Sequence, residues 1–99
     1  MTDAPKKGYW MAMVSITDAE GYPAYIAANA AAFAKYGAKF LVRGGRAESP
    51  EGFAATRHVV IEFDSYEKAL ACYHSPEYAD ALKLRRQVAT AHIAIVEGV

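Results

Sequence analysis

Along Tyr9–Ile16 the side chains alternate, with Trp10, Ala12, Val14 and Ile16 on one side and Tyr9, Met11, Met13 and Ser15 on the other, a period of two that predicts a β-strand. Both sides are largely apolar, so a central strand covered on both faces is expected. Thr17-Asp18-Ala19-Glu20 has the form of a capping box, which predicts a helix opening there. Pro23 opposes a continuous helix, because inside one it removes a hydrogen bond and clashes with the preceding turn. A kink, or a separate first turn with the main helix starting near Pro23, is therefore expected. The alanine-rich stretch that follows favours helix, and Tyr22, Ile26, Asn29, Phe33 and Tyr36 form one stripe that ends at Gly37, a natural C-cap.

A second strand is predicted over 38–44, then a long loop or extended hairpin connection over 45–56 containing Pro50 and Gly52. Arg57–Asp64 alternates strictly, Val59, Ile61 and Phe63 against His58, Val60, Glu62 and Asp64. Ser65 is placed to cap a short helix with Tyr66, Ala69, Leu70 and Tyr73 on one face, and Ser75-Pro76 to restart a helix through Tyr78, Leu82 and Arg85. Residues 91–97 make the fourth strand. The order βαββαβ is that of the α+β ferredoxin-like fold, a four-stranded antiparallel sheet with helices on one face. Helices cover only one face, yet the first strand carries large apolar residues on both. The excess predicts a symmetric homodimer, two sheets packed face to face with their helices outside.

Composition narrows the function. The chain has 99 residues, 54% of them hydrophobic, so one domain is expected over 8–99 behind a loose polar lead over 1–7. Eleven basic and eleven acidic side chains leave no positive field, which argues against nucleic acid as a partner. Cys72 is the only cysteine, so no internal disulfide forms and a reducing, cytoplasmic setting fits. Lys6-Lys7 before Tyr9–Val14 faintly mimics a secretory signal, but the apolar run is short and is followed by Asp18 and Glu20. No stretch approaches the roughly 20 apolar residues that cross a bilayer, so no membrane role is expected.

Several short segments in order resemble a known family: Gly8-Tyr9-Trp10, Tyr25-Ile26-Ala27-Ala28-Asn29, the run from Tyr36 through Gly45, Val59-Val60-Ile61-Glu62-Phe63, Tyr73-His74-Ser75-Pro76-Glu77-Tyr78, and Ile95-Val96-Glu97-Gly98-Val99. Together they are similar to the family called domain of unknown function 1330, over nearly the whole chain from Gly8. The resemblance implies a dimeric α+β barrel, related in shape to small monooxygenases and muconolactone isomerases. It implies no particular reaction.

Candidate chemistry is sparse. Asn29 interrupts an apolar stripe, and a buried amide needs partners, either neighbouring backbone or a ligand. In the resembling segment it keeps its place four residues after Tyr25. His58 and Glu62 lie on one face of a strand, roughly 13 Å apart along the chain, and offer proton transfer. Alternatively His58 is a rim residue, and Glu62 pairs with Arg43 across the hairpin or with the second protomer. Arg43, Arg57, Arg85 and Arg86 could clamp an anionic group or be solvated surface cations. Arg85 ranks first, because its spacing from Tyr78 and Leu82 puts it on the inward stripe. Tyr73 and Tyr78 flank the Ser75-Pro76 break and serve either a ligand or the core. His58, His74 and His92 fall in different elements without metal-ligand spacing, and neither a phosphate loop nor a serine-nucleophile elbow is present, so no metal and no cofactor are expected. The function expected is a cofactor-free enzyme, monooxygenase- or isomerase-like by the resemblance, acting on a small apolar or aromatic acid. Asn29, Glu62 and His58 are the catalytic candidates, and Trp10, Tyr25, Asn29, Arg43, Tyr73, Tyr78 and Arg85 would line its cleft between sheet and first helix. The alternative is a non-catalytic ligand-binding or structural dimer module.

Overall fold

The computed structural model describes residues 6–52 and 54–99, so the first five residues of the expected lead lie outside the described residues. Strand β1 (Gly8–Ile16) runs through the middle of the sheet, paired antiparallel along one edge with β3 (Arg57–Phe63) and along the other with β4 (Ala89–Glu97). A short β2 (Lys39–Arg43) pairs with the far edge of β3, giving the order β2-β3-β1-β4. Helix α1 (Tyr22–Tyr36) connects β1 to β2, and α2 (Tyr66–Tyr73) followed by α3 (Pro76–Val88) connects β3 to β4. The fold is α+β and ferredoxin-like, as the order of elements predicts.

Local chemistry explains where the helices begin and end. The Ser65 hydroxyl accepts from the Lys68 N–H and the Ser75 hydroxyl from the Tyr78 N–H, both at 3.1 Å, so each serine caps the helix that follows it. Gly37 closes α1 in the left-handed region, φ 70°, where its N–H reaches the Phe33 carbonyl. The start of α1 follows the second of the two expected courses, a main helix beginning near Pro23. Thr17 and Asp18 donate their backbone N–H groups to the Val88 carbonyl, and Asp18 Oδ1 accepts from the N–H groups of Glu20 and Gly21. No capping box forms, and the helix opens at Tyr22 with Pro23 in its first turn, where a missing N–H leaves no helical bond unmade. Strand β4 starts two residues earlier than the alternation suggests, because Ala89 ends α3 and already pairs with Ile16.

The core lies between the sheet's inner face and the helices, with Trp10, Val14, Val59, Ile61 and Phe63 against Phe33, Ala69, Cys72, Tyr78 and Ala81. Trp10 is its hub. Its ring centroid stands 5.1 to 5.6 Å from those of Phe33, Phe63, Tyr73 and Tyr78, and its indole N–H donates to the Ala69 carbonyl at 2.8 Å. The expectation of cover on both faces of β1 is not met within one chain. On the outer face Met11 and Met13 are 51% and 37% exposed, and Leu41, Val42 and Val96 are exposed as well. The strand registers set Val42, Val60, Met11 and Ala94 in one cross-strand row, with His58, Met13 and His92 in the next.

Candidate functional site

A cleft opens between the inner face of the sheet and α1, framed by Trp10, Ala12, Val14, Tyr22, Tyr25 and Ile26 and continuing past Asn29, Phe33 and Phe40. The cleft is narrow, with a free volume of about 40 Å³, and reaches about 470 Å³ only when its open mouth is counted. Into this largely apolar wall project three guanidinium groups, those of Arg43, Arg57 and Arg85, and among the described lining residues there is no carboxylate, imidazole or thiol.

Each polar side chain reaches the cleft for a separate local reason. Asn29 lies seven residues after Tyr22 and four after Tyr25, one helical stripe. It is 7% exposed, and its amide makes no side-chain hydrogen bond with the described residues, so it faces the cleft and does not cap neighbouring backbone. Arg57 stands opposite Val14 on the inward parity of β3. Its guanidinium lies over the Tyr22 ring at 5.8 Å, and its Nε is buried without a partner. Arg85 comes from the inward stripe of α3, as its spacing predicts. It is 7% exposed, with Nε and Nη1 buried and unpartnered. It separates the cleft from a polar groove lined by Tyr73, Arg86 and Thr90.

Arg43 is brought in by a β-bulge. Lys39 pairs with Glu62 and Phe40 with Ile61, but the register shifts at Leu41, so Val42 pairs with Val60 and Arg43 with Val59. One extra residue reverses the parity of the strand's end. Arg43 thereby joins Phe40 on the inner face, its guanidinium 4.1 Å from that ring. The expected pairing of Glu62 with Arg43 is corrected for this reason, since the two lie on opposite faces. Glu62 instead accepts from the Tyr9 hydroxyl at 3.3 Å on the outer face.

The sequence candidates therefore divide. Trp10, Tyr25, Asn29, Arg43 and Arg85 meet at the cleft. His58 and Glu62 stand on the outer face, away from it, and His58 lies in an apolar depression with Met11, Met13 and His92, its Nδ1 buried without a partner. Tyr78 is fully buried behind the cleft, and its hydroxyl shares a 2.7 Å hydrogen bond with that of Tyr25. Burial pushes the Tyr78 phenol well up, and that of Tyr22 up against the opposing pull of Arg57. Tyr73 faces the groove beyond Arg85. Tyr22 and Arg57 rose to prominence only in the structure, although helical spacing to Asn29 and parity with Val59 were signals for them. Cys72 is buried with its thiol pushed up to about 12 by loss of solvent, which leaves it inert as a nucleophile. Among the described residues no group of three or more His, Cys, Asp or Glu could hold a metal ion, and no helix is long and apolar enough to cross a membrane.

No curated protein matches the chain in sequence. Solved structures share its fold. A protein of unknown function from Rhodopseudomonas palustris is 17% identical over 99% of this chain and 86% of its own, with a TM-score of 0.75. SnoaB, a cofactor-independent oxygenase from Streptomyces nogalater, is 13% identical over 92% and 91%, TM-score 0.64. A dimeric protein of unknown function with a ferredoxin-like fold from Bacteroides fragilis is 15% identical over 96% and 99%, TM-score 0.56. The sequence model of one family matches residues 7–99, and the chain belongs to that family, the domain of unknown function DUF1330.

Proposed function

We propose that the cleft binds a small apolar or aromatic acid and that the protein converts it without a cofactor. The observation that carries the reading is Arg85, a largely buried cation on the wall of an aromatic cleft with two guanidinium nitrogens unpartnered. A buried charge without a counter-ion is costly, and a carboxylate offers the fork-shaped acceptor that a guanidinium fits. Trp10, Tyr22, Tyr25 and Phe33 supply the apolar walls, and Asn29 a hydrogen bond to a second polar atom of the ligand. Conversion would rest on guanidinium and amide groups stabilising an oxyanion as charge develops on the substrate. The Streptomyces neighbour is named a cofactor-independent oxygenase, which supports the reading of conversion without a cofactor.

The lining holds no carboxylate, imidazole or thiol, and this favours one second reading, a site that holds its acid without changing it. One experiment addresses both. Trp10 is the only tryptophan and borders the cleft, so its fluorescence reports occupancy. Saturable quenching by aromatic acids, absent with the matching amides, is expected, with product appearing by NMR in aerated solution. Binding without product would leave the second reading, and no binding would end both.

For the outer face we propose a homodimer, two copies joined through the row of Val42, Val60, Met11 and Ala94. The exposed methionines and valines support it, and the Bacteroides fragilis neighbour is described as dimeric. Light scattering giving the mass of one 10.7 kDa chain would overturn it.

A further inference from the structure

Resting on the reading of the cleft as an acid site, we propose that its occupant is a dianion on an apolar body, with Arg85 and Arg57 each neutralising one charge. Charge balance in the cleft leads to this. Three guanidinium groups line it against no carboxylate. The ion pairs among the described residues are Lys7–Asp64, Lys35–Glu77 and Lys68–Asp64, and none involves an arginine. The three cations differ in their access to water. Arg43 is exposed and stacked on Phe40, so solvent and the ring serve it. Arg57 is half-buried with Nε closed off, and Arg85 is buried with Nε and Nη1 closed off. A single carboxylate would neutralise one of these two and leave the other desolvated and unpaired. Two negative charges match the two guanidiniums that water serves only in part, and three shielded nitrogen donors await acceptors.

The chemistry is shared by two kinds of small molecule, an apolar dicarboxylate and a phosphate monoester of an apolar alcohol or phenol, since a guanidinium forks onto either group. Asn29 and the Tyr22 hydroxyl add neutral contacts suited to an oxygen between the charged ends. The aromatic walls exclude ligands that are all charge.

The test is a titration series read by Trp10 fluorescence and calorimetry on the wild-type protein, with phthalate, phenyl phosphate, benzoate, benzamide and inorganic phosphate as probes. At least one of the two aryl dianions is expected to bind about tenfold or more tighter than benzoate, because a charge-assisted contact adds on that scale. Whichever of phthalate and phenyl phosphate leads identifies the acidic group. Arg57→Gln is expected to remove the dianion's advantage while leaving benzoate affinity within about threefold, and Arg85→Gln to weaken every anion. Circular dichroism verifies that each variant folds; if Arg85→Gln does not, Arg57→Gln and the probe series decide. Saturable benzoate binding equal to both dianions would overturn the dianion proposal and leave the acid site standing. Inorganic phosphate matching phenyl phosphate would overturn the apolar body. Failure of all the acids to bind would overturn this proposal together with the reading on which it rests.

Discussion

Replacing Arg85 by methionine removes a cation from a site where it has 7% exposure, no carboxylate partner and two orphaned guanidinium nitrogens, while keeping an unbranched apolar stem of similar reach. Truncating one partner of a buried ion pair typically destabilises by about 3–5 kcal/mol, because a lone charge is left behind, and exchanging buried pairs for apolar residues can stabilise by about 1–4 kcal/mol. In the ligand-free protein Arg85 already is the lone charge. It also borders the cleft and the groove beyond it, so part of its guanidinium is hydrated and the penalty is relieved accordingly. A gain of about 1–2 kcal/mol is therefore expected for Arg85→Met, which for a domain of this size raises Tm by about 4–8 °C per kcal/mol. Urea and thermal unfolding of ligand-free protein would measure it, at one fixed protein concentration, since association couples stability to concentration. The gain must reverse with ligand. At about a hundredfold excess over Kd, a bound dianion stabilises the wild type by about 2.7 kcal/mol, and the variant by far less. A loss of 1 kcal/mol or more in the ligand-free variant, with an unchanged m-value, would refute the reasoning, because Arg85 would then hold the fold and not await an anion.

Four further outcomes are expected. Met11→Glu places a carboxylate in the centre of the exposed outer row and should convert a dimer to single chains by light scattering without loss of helical signal; an unchanged mass would move the interface elsewhere. Asn29→Leu should weaken the binding of aromatic acids about tenfold or more while shifting stability by less than about 1 kcal/mol, since its amide holds no described partner; a large stability loss would make it a structural residue. Gly8→Ala should destabilise by about 1–3 kcal/mol, because an added Cβ would run into the Ser65 carbonyl and the Tyr66 backbone, which cannot swing aside; an unchanged Tm would show that β1 and α2 separate freely. At alkaline pH the Cys72 thiol stays protonated in the folded protein up to about 12 from an ordinary 9.0, and the Tyr78 phenol is likewise raised. Between pH 9 and 12 the unfolded chain thus binds fewer protons, and Cys72 alone lowers stability by about 1.4 kcal/mol per pH unit. Cys72→Ala should flatten the fall in urea midpoint above pH 9, and an unaltered slope would contradict the burial effect.

Much of the architecture was legible because it rests on short-range rules. Two-residue alternation marks β1 and β3, and serine followed by a helix former marks α2 and α3. Glycine after an alanine-rich stripe ends α1. Where local signals competed, the structure followed the less forgiving one. The Thr17 box lost to Pro23, since a capping box adds a modest amount and an interior proline costs about 3 kcal/mol. Asn29 stood out as a polar residue on an apolar stripe, and Arg85 by its spacing from Tyr78.

By itself, then, the sequence determined the order of elements, their inward faces, and an apolar surplus on β1 that one layer of helices does not hide. Only the tertiary structure decided which polar groups share a cleft. Asn29, Arg57 and Arg85 come from α1, β3 and α3, and residues so far apart along the chain converge through packing alone. It also sent His58 and Glu62 to the outer face and Arg43 to the inner one. The outward placing of His58 and Glu62 follows from the register of β3 on β1, whereas that of Arg43 hangs on one bulged residue at Leu41, whose effect on parity exists only when β2 lies against β3. Side-chain period is a property of a strand, but register is a property of a pair.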